Sequence, residues 1–579
     1  MIINNKCDIA FLNLPSSDSC VMTCYPPAGI LSMAAMLKKN SYEVNYIDAD
    51  VLKLSVGDVI DILKKIQPKC LAVTINVSHV KFFDRYVNII QKEFTLIDII
   101  IGGPYVTSKK GSVFDDFPNI KYAVIGEGEY AILDFMQFLD NKLSVDKVRN
   151  LAYQDSDKHV KTHKVERIED LEALPLPDYT LIQDIIHLYA APEPSIAKPS
   201  IGIMCSRGCP YNCTFCSSPI SWGRKTTFRS VDSIIKEIKY LKKTIDVKEI
   251  FFQDDTFNLD HKWFYELCNK IIDAGLNKDI FYKTPFRLNK NLLNLDILRL
   301  AKKANFWMIF YGVESGNEEI LKNINKNLTI KEIKRGFKLT RKAGLASLAS
   351  FMIGNIGETQ NTVKDSIKLF KKIKPDYAGV AIVAPFPGTK LYDYAKQKNL
   401  ILNDNFKEYQ FGDCILRTEK LSKDDIIKLH IEMEEVFRKW QNSILYKILS
   451  KKLGFKKFEF GFYNYEYWDR LVRRTNKKII KYFLVDKNHK NIIIKAMLDH
   501  PDLNKKPVKM KITINNKKKD EIIWNEPIWK EITVKLPDIE INSDVKLELE
   551  VDRTYNPNKL NINKDCRDLG MVIDKIYLN

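Results

Sequence analysis

Cys209, Cys213 and Cys216 fall within eight residues, in the run Cys209-Pro-Tyr-Asn-Cys213-Thr-Phe-Cys216 that follows the apolar stretch Ser200–Met204. Three thiols so close together cannot be shared out among core positions; they force the chain into a loop around a common partner. Soft thiolates at this density favour an iron–sulfur cluster. A 4Fe–4S cubane normally takes four cysteine ligands, and the tight group offers three, which leaves one iron open to a ligand that is not protein. Structural zinc sites usually pair two such hooks at a distance, whereas the next cysteine, Cys268, stands alone. A disulfide framework suits short secreted chains, not a chain of 579 residues whose 11 cysteines are mostly scattered. Cys205, just upstream, is either a fourth ligand or a residue buried by its strand.

The surroundings of this loop read as repeated strand–helix units. Strands are expected at Ser200–Met204, Glu249–Gln253, Phe281–Phe286, Trp307–Gly312, Ala346–Ile353 and Tyr377–Ala384, with helical patterns between them. About six strands are fewer than the eight of a closed (β/α) barrel. Chemistry in such barrels sits at the carboxyl ends of the strands, and Asp254, Asp255, Arg287 and Glu314 fall there. Carboxylates at strand ends accept hydrogen bonds from amines and ribose hydroxyls, while Arg287 suits a carboxylate. Isolated, each acidic residue would read as a salt bridge on the rim.

Residues 1–146 carry a second α/β pattern. Apolar runs at Asp8–Leu14, Val44–Ile47, Cys70–Val77, Ile97–Gly102 and Tyr122–Ile125 alternate with helical stretches. Continuously apolar strands separated by helices imply a parallel, doubly wound, Rossmann-like sheet. Ligands bind such sheets beyond the strands' carboxyl ends, where Pro26-Pro27-Ala28-Gly29, Gly102-Gly103-Pro104 and Gly126-Glu127-Gly128-Glu129 lie. No G-x-G-x-x-G follows the first strand, so a dinucleotide is not expected. Residues 147–197 form a Pro-rich connector.

The motif set resembles the radical S-adenosylmethionine (radical SAM) superfamily. The matching pieces are the cysteine run, Gln253-Asp-Asp-Thr-Phe257, Gly312-Val-Glu-Ser-Gly316, Phe351-Met-Ile-Gly-Asn-Ile-Gly-Glu-Thr359 and Ala384-Pro-Phe-Pro-Gly-Thr389, all in the family's order. The resemblance implies a partial (β/α)6 TIM-like barrel over residues 198–400. It implies a 4Fe–4S cluster on Cys209, Cys213 and Cys216, with S-adenosylmethionine chelating the open iron and cleaved to a 5′-deoxyadenosyl radical. Glu314 is the favoured contact for S-adenosylmethionine, and Asp254 and Asp255 for it or the substrate. Gly354 and Gly357 allow close backbone approach to adenine. Phe215 packs on the cluster, on adenine or in the core.

The first α/β region resembles the cobalamin-binding domain found ahead of many such cores. The residues carried over are Pro26, Pro27, Gly29, Gly102, Gly103, Pro104, Gly126, Glu127 and Gly128. No D-x-H-x-x-G motif is present, so the resemblance implies cobalamin without a histidine on its lower face, and His79 reads as a surface or loop residue. The combination implies methylation of an unactivated carbon; a cyclase or oxidoreductase without cobalt chemistry, and a non-enzymatic redox or cobalamin sensor, are the alternatives.

From Ser422 an amphipathic helix is expected within a helical extension over 401–458, placed to cover the barrel mouth. The pattern then changes to period two, an all-β sandwich over 459–579, with strands at Ile492–Met497, Val508–Ile514, Trp529–Leu536, Val545–Val551 and Met571–Leu578. Gly461-Phe-Tyr463 with Glu466, Arg473-Arg-Thr475 and Asp565–Gly570 resemble an accessory sandwich of some bacterial cell-surface glycan enzymes. That implies a glycan-related or other small-molecule substrate, with Trp524, Trp529 and Tyr555 as candidate sugar platforms, or a stabilising appendage. A formal charge of +18 comes without an Arg-rich stripe interleaved with aromatics, so no nucleic-acid partner is expected. No transmembrane segment or signal peptide is expected. Free thiols and an oxygen-sensitive cluster point to the cytoplasm, with a flavodoxin-type reductase as electron donor.

Overall fold

The computed structural model describes residues 6–16, 25–189, 191–409, 412–441, 460–467, 471–485, 491–498, 500–515, 517–536, 543–554 and 571–578. The chain divides into two compact units, one holding residues 25–441 with the first strand, the other holding the C-terminal strands from residue 442 on.

In the first unit, the early apolar runs form five parallel strands: β1 (Ile9–Asn13), β2 (Val44–Asp48), β3 (Cys70–Thr74), β4 (Asp98–Gly102) and β5 (Tyr122–Val124). Their spatial order is β2-β1-β3-β4-β5. The strands are mostly apolar because helices cover the sheet; Phe82 and Phe83 of the helix Val80–Glu93, for example, are buried in its core. Two further strands, β6 (Leu151–Gln154) and β7 (Val160–Thr162), add to β5 antiparallel; the sequence reading had taken this stretch as connector.

The second sheet holds six parallel strands. β8 (Ser200–Ile203) is followed by the short antiparallel pair β9 (Ser206–Arg207) and β10 (Thr227–Phe228), which brackets the cysteine loop. Then come β11 (Glu249–Phe252), β12 (Phe281–Pro285), β13 (Phe306–Glu314), β14 (Ala346–Ile353) and β15 (Tyr377–Ile382), in the order β15-β14-β13-β12-β11-β8. Alternation sets the faces. Phe252, Tyr282 and Phe306 stack on the helix-covered side, while Glu249, Phe251 and Lys283 point to the other. There Lys283 is fully buried, its Nζ 2.7 Å from Glu249 and 3.1 Å from Glu193.

Helix does not start at residue 401. Among the described residues it begins at Lys423 and runs to Gln441. The stretch before it is irregular, held by a bridge between Ile401 and Leu416, and it places Phe406 and Tyr409 in the core of the first sheet. The helix Lys423–Gln441 does not cap the strand ends. It runs along the flank of β14 and β15, with Ile426 beside Gly354, Phe437 on Phe351 and Phe370, and Trp440 donating to the carbonyl of Pro375.

Among the described residues the second unit consists of antiparallel strands, consistent with a sandwich. Its strands are β16 (Phe460–Tyr467), β17 (Leu471–Val485), β18 (Asn491–Met497), β19 (Val508–Ile514), β20 (Lys517–Trp524), β21 (Lys530–Lys535), β22 (Ser543–Val551) and β23 (Val572–Leu578). Period-two burial along β19 and β21 builds its core. Trp524 belongs to that core, fully buried and donating to the carbonyl of Ile528 at 3.0 Å, so it offers no face to a sugar. The side chains of 461–467 and 473–475, and residues 555–570, lie outside the described residues, so the glycan-enzyme resemblance and Tyr555 are not placed.

Candidate active site

The cysteine loop leaves β9 and is clamped at both ends. Gly208 has φ +99°, and a Cβ there would lie 2.2 Å from the carbonyl oxygen of Lys225, so the turn into the loop accepts only glycine. Cys209 N–H donates to the carbonyl of Gly223 at 3.3 Å, and Cys216 N–H to that of Cys213 at 3.2 Å. From below, the turn at residues 324–326 holds the loop: Thr214 N–H donates to the carbonyl of Ile324 (3.0 Å) and Asn325 Nδ2 to that of Asn212 (2.8 Å). Arg287 lies 3.5 Å over the Tyr211 ring and donates to the carbonyl of Lys326 at 2.5 Å. Arg287 thus supports the loop from the end of β12.

The donor set fits a cluster better than a single ion. Among the described residues, the only group of candidate ligand atoms lying within 4.8 Å of one another is Asp155, Asp157 and His159. That is a surface turn in which Asp155 accepts the N–H groups of Asp157 and His159. The three thiols are more widely spread than one tetrahedral zinc would hold them, since Zn–S bonds of about 2.3 Å set sulfurs only about 3.8 Å apart. A cubane carries its ligands on the outside of a larger body and takes the wider spacing. Cys205 is fully buried, and burial together with the nearby Asp254 pushes its thiol well up. It lies just past the end of β8, buried beside Asp254.

The strand-end carboxylates divide by what they already hold. Glu314 ends β13 at φ +62°, a left-handed conformation, and its Oε1 accepts from Lys326 Nζ at 2.7 Å. Both side chains are buried, and the pair exists only because residue 312 is glycine: a Cβ there would lie 2.3 Å from Glu314 Oε1 and 2.7 Å from Lys326 Nζ. Lys326 was not singled out from sequence. Asp254 is 1 % exposed and accepts from Cys205 N–H (3.2 Å) and Ser206 Oγ (2.5 Å), so it pins the β8–β9 turn; burial raises it to about 7. Asp255 is exposed and takes a hydrogen bond from Ser218, just past Cys216. Gly354 and Gly357 have φ +96° and +77° and frame a tight turn closed by Glu358, which accepts from the N–H groups of Gly354 (2.6 Å) and Asn355 (3.1 Å). Phe215 is partly buried and packs against the small core cluster of Val383, Leu391, Ala395, Leu400 and Leu416.

Beyond the carboxyl ends of β1, β3, β4 and β5 lies a cavity of about 350 Å³. Pro27, Gly29, Gly102, Gly103, Gly126, Glu127 and Gly128 all line it; Pro26 does not and is buried. Gly103, at φ +100°, has Thr74 Oγ1 2.8 Å from where a Cβ would sit. His79 is buried, with Nδ1 3.1 Å from the carbonyl of Thr74, and does not line the cavity. It is therefore a core histidine rather than a surface one.

The cavity is completed by Met204 just after β8, Arg207 of β9, and Ser221 and Trp222 of the helix Ser218–Trp222, which flank the cysteine loop. Arg207 sits 2.5 Å from both Glu127 and Glu129, with its guanidinium 5.0 Å from the Trp222 ring. Burial acts to raise Glu129, but the charge and hydrogen bond of Arg207 outweigh it and hold the carboxyl below its usual range. A second buried network lies beside it, in which Arg229 pairs with Glu237 and Tyr179 donates to Glu237 at 2.5 Å.

Comparison with known proteins agrees with this division. Residues 18–135 match the B12 binding domain and residues 203–370 the radical SAM superfamily. An uncharacterized methyltransferase of Pyrococcus horikoshii is 31% identical over 428 residues, covering 72% of this chain and 90% of that protein. An anaerobic magnesium-protoporphyrin IX monomethyl ester cyclase of Rubrivivax gelatinosus is 26% identical over 408 residues, 70% of this chain and 72% of the cyclase. Among solved structures, the radical S-adenosylmethionine methyltransferase TsrM of Kitasatospora setae, with cobalamin and a [4Fe-4S] cluster bound, shares the fold. Its TM-score is 0.54 at 16% identity, over 69% of this chain and 76% of that one. The chain therefore belongs to the radical SAM superfamily, among its enzymes that carry a B12 binding domain ahead of the radical core.

Proposed function

We propose that this protein is a cobalamin-dependent radical SAM methyltransferase acting on an unactivated carbon of a small-molecule or glycan-related substrate. The observation that carries the reading is the shared wall: the cavity beyond β1, β3, β4 and β5 is closed by residues flanking the cysteine loop. On this reading the first sheet is a doubly wound Rossmann-like domain, the second a partial (β/α)6 TIM-like barrel, and electrons come from a flavodoxin-type donor in the cytoplasm.

A 4Fe–4S cluster on Cys209, Cys213 and Cys216 would supply the electron that cleaves S-adenosylmethionine, and cobalamin in the cavity a carrier for the methyl group. The chain's own residues bind and orient. Glu314 and Lys326 form a buried pair of opposite charges beside the cluster loop, a match for the ammonium and carboxylate of a methionyl group. Gly354 and Gly357 shape the tight turn after β14, the backbone assigned here to contact with the adenine. Asp254 fixes the turn into the loop, and Asp255 is open to a ligand. Pro27, Gly29, Gly102, Gly103, Gly126, Glu127 and Gly128 would hold the corrinoid, and no histidine is among the described residues that line the cavity.

The test is product partition. With S-adenosylmethionine, a reductant and candidate substrates, methyl transfer yields both 5′-deoxyadenosine and S-adenosylhomocysteine, and a methylated product. Deoxyadenosine without S-adenosylhomocysteine would instead support a cyclase or oxidoreductase, the second reading, which the likeness to the Rubrivivax cyclase favours.

A further inference from the structure

Arg207 stands two residues before Cys209, yet its guanidinium faces the cavity. Nη1 lies 2.5 Å from Glu127 and Nη2 2.5 Å from Glu129. The two carboxylates are themselves fixed: Glu127 Oε2 accepts from Ile168 N–H at 2.6 Å, and Glu129 Oε1 from Ser32 Oγ at 3.0 Å. The other side of the guanidinium meets Trp222, which ends the helix Ser218–Trp222 just after Cys216. The strand that carries Arg207 is held by Arg167, whose Nη2 donates to the carbonyl of Arg207 at 3.4 Å and whose Nη1 donates to that of Lys225 at 2.6 Å. Arg207 thus touches both exits of the cysteine loop and two side chains of the cavity wall. Its planar fork holds the two carboxylates in a fixed arrangement, with one nitrogen for each, which the flexible point charge of a lysine does not reproduce.

We propose that Arg207 is the positioning residue through which the cavity and the cysteine loop set each other's geometry. This rests on the cofactor reading above. A corrinoid filling the cavity packs the wall made by Glu127, Glu129 and Arg207, and that wall fixes the two ends of the loop. By linkage, an ordered, cluster-bearing loop then raises corrinoid affinity by the same factor as corrinoid favours the ordered loop.

The test measures binding, not turnover. Hydroxocobalamin affinity is determined for the full chain with its cluster reconstituted and again without iron, for wild type, Arg207→Lys and Glu129→Gln. The second variant keeps the side-chain shape should the first fold poorly. In wild type the cluster-bearing form binds hydroxocobalamin tighter by roughly 5–150-fold, the usual range for coupled sites. In either variant that ratio falls to less than about threefold, and the change in the reduced cluster's EPR signal on adding corrinoid disappears. Equal affinity of the two wild-type forms, or variants that keep the wild-type ratio and EPR change, would overturn the proposal while leaving the cofactor reading intact. A wild-type chain that folds and carries its cluster but binds no corrinoid would overturn both.

Discussion

The cysteine loop and the N-terminal cavity meet at Arg207, but they are made of different material. The loop's three thiols come from one short stretch, and their supports are polar: Arg287 on Tyr211, and the turn at 324–326 beneath. The cavity is drawn from the ends of four strands and two sheets, and what shapes it is missing bulk, with Gly103 and Gly128 filling positions where a Cβ would strike Thr74 or Met33. A site made of ligands tolerates no change of side chain. A site made of space tolerates any change that does not fill it.

The sharpest test of that contrast is Cys213→Ala. Deoxyadenosine formation should fall to background and the cluster's absorption should vanish, while corrinoid still binds, though more weakly than to the cluster-bearing chain. Full deoxyadenosine formation by this variant would break the comparison on the loop side. Next in size is Lys326→Met. It leaves Glu314 buried without its cation, which costs roughly 3–5 kcal/mol in chemical denaturation, and S-adenosylmethionine binding weakens with it. A variant as stable as wild type would show that the pair is not buried together.

Within the cavity two glycines should part company. Gly103→Ala forces a glycine-only backbone conformation and costs about 1–3 kcal/mol, read as a lower thermal midpoint. Gly29 has no atom within 4 Å of its would-be Cβ, so Gly29→Ala should not lower the midpoint but should weaken hydroxocobalamin binding. Identical behaviour of the two would mean that backbone shape and ligand space are not separable here.

A smaller effect concerns pH. Burial pushes Glu358 up to about 7, whereas an unfolded glutamate titrates near about 4.3. The folded chain holds the extra proton between those values, so this group's contribution is most favourable at low pH. It falls as pH rises through about 7 and stays lower above that. Glu358→Gln should flatten the decline, as urea unfolding at about pH 5 and about pH 8 would read; an unchanged slope would assign the decline elsewhere. Least of all, His79→Gln should leave the spectrum of bound corrinoid unaltered, because the ring points at the carbonyl of Thr74 and not into the cavity.

What could be read from sequence follows the same contrast. The cysteine run, the six strands of the second sheet and the first five of the first were legible because each is a contiguous signal, either a spacing or an apolar run. Lys326 was not, because it meets Glu314 only after the chain has passed through a short helix, and a lysine in a lysine-rich sequence carries no mark. Arg207 was hidden likewise, since nothing local says that its partners are Glu127 and Glu129. Arg287 and Asp254 were found as residues but not for what they touch, because a strand-end charge looks the same whether it faces a ligand or a loop. The hairpin β6–β7 escaped because β7 is exposed throughout and lacks an apolar pattern.

The central claim is that one chain holds a cluster and a corrinoid side by side, and the direct measurement is composition after anaerobic reconstitution with iron, sulfide and hydroxocobalamin. The account predicts about four iron atoms on the cysteine loop together with about one corrinoid per folded chain, both visible in the optical spectrum, with the iron lost in Cys213→Ala and the corrinoid still bound there, though more weakly. Folded protein that takes up neither, or iron that stays in the Cys213→Ala variant, would contradict it.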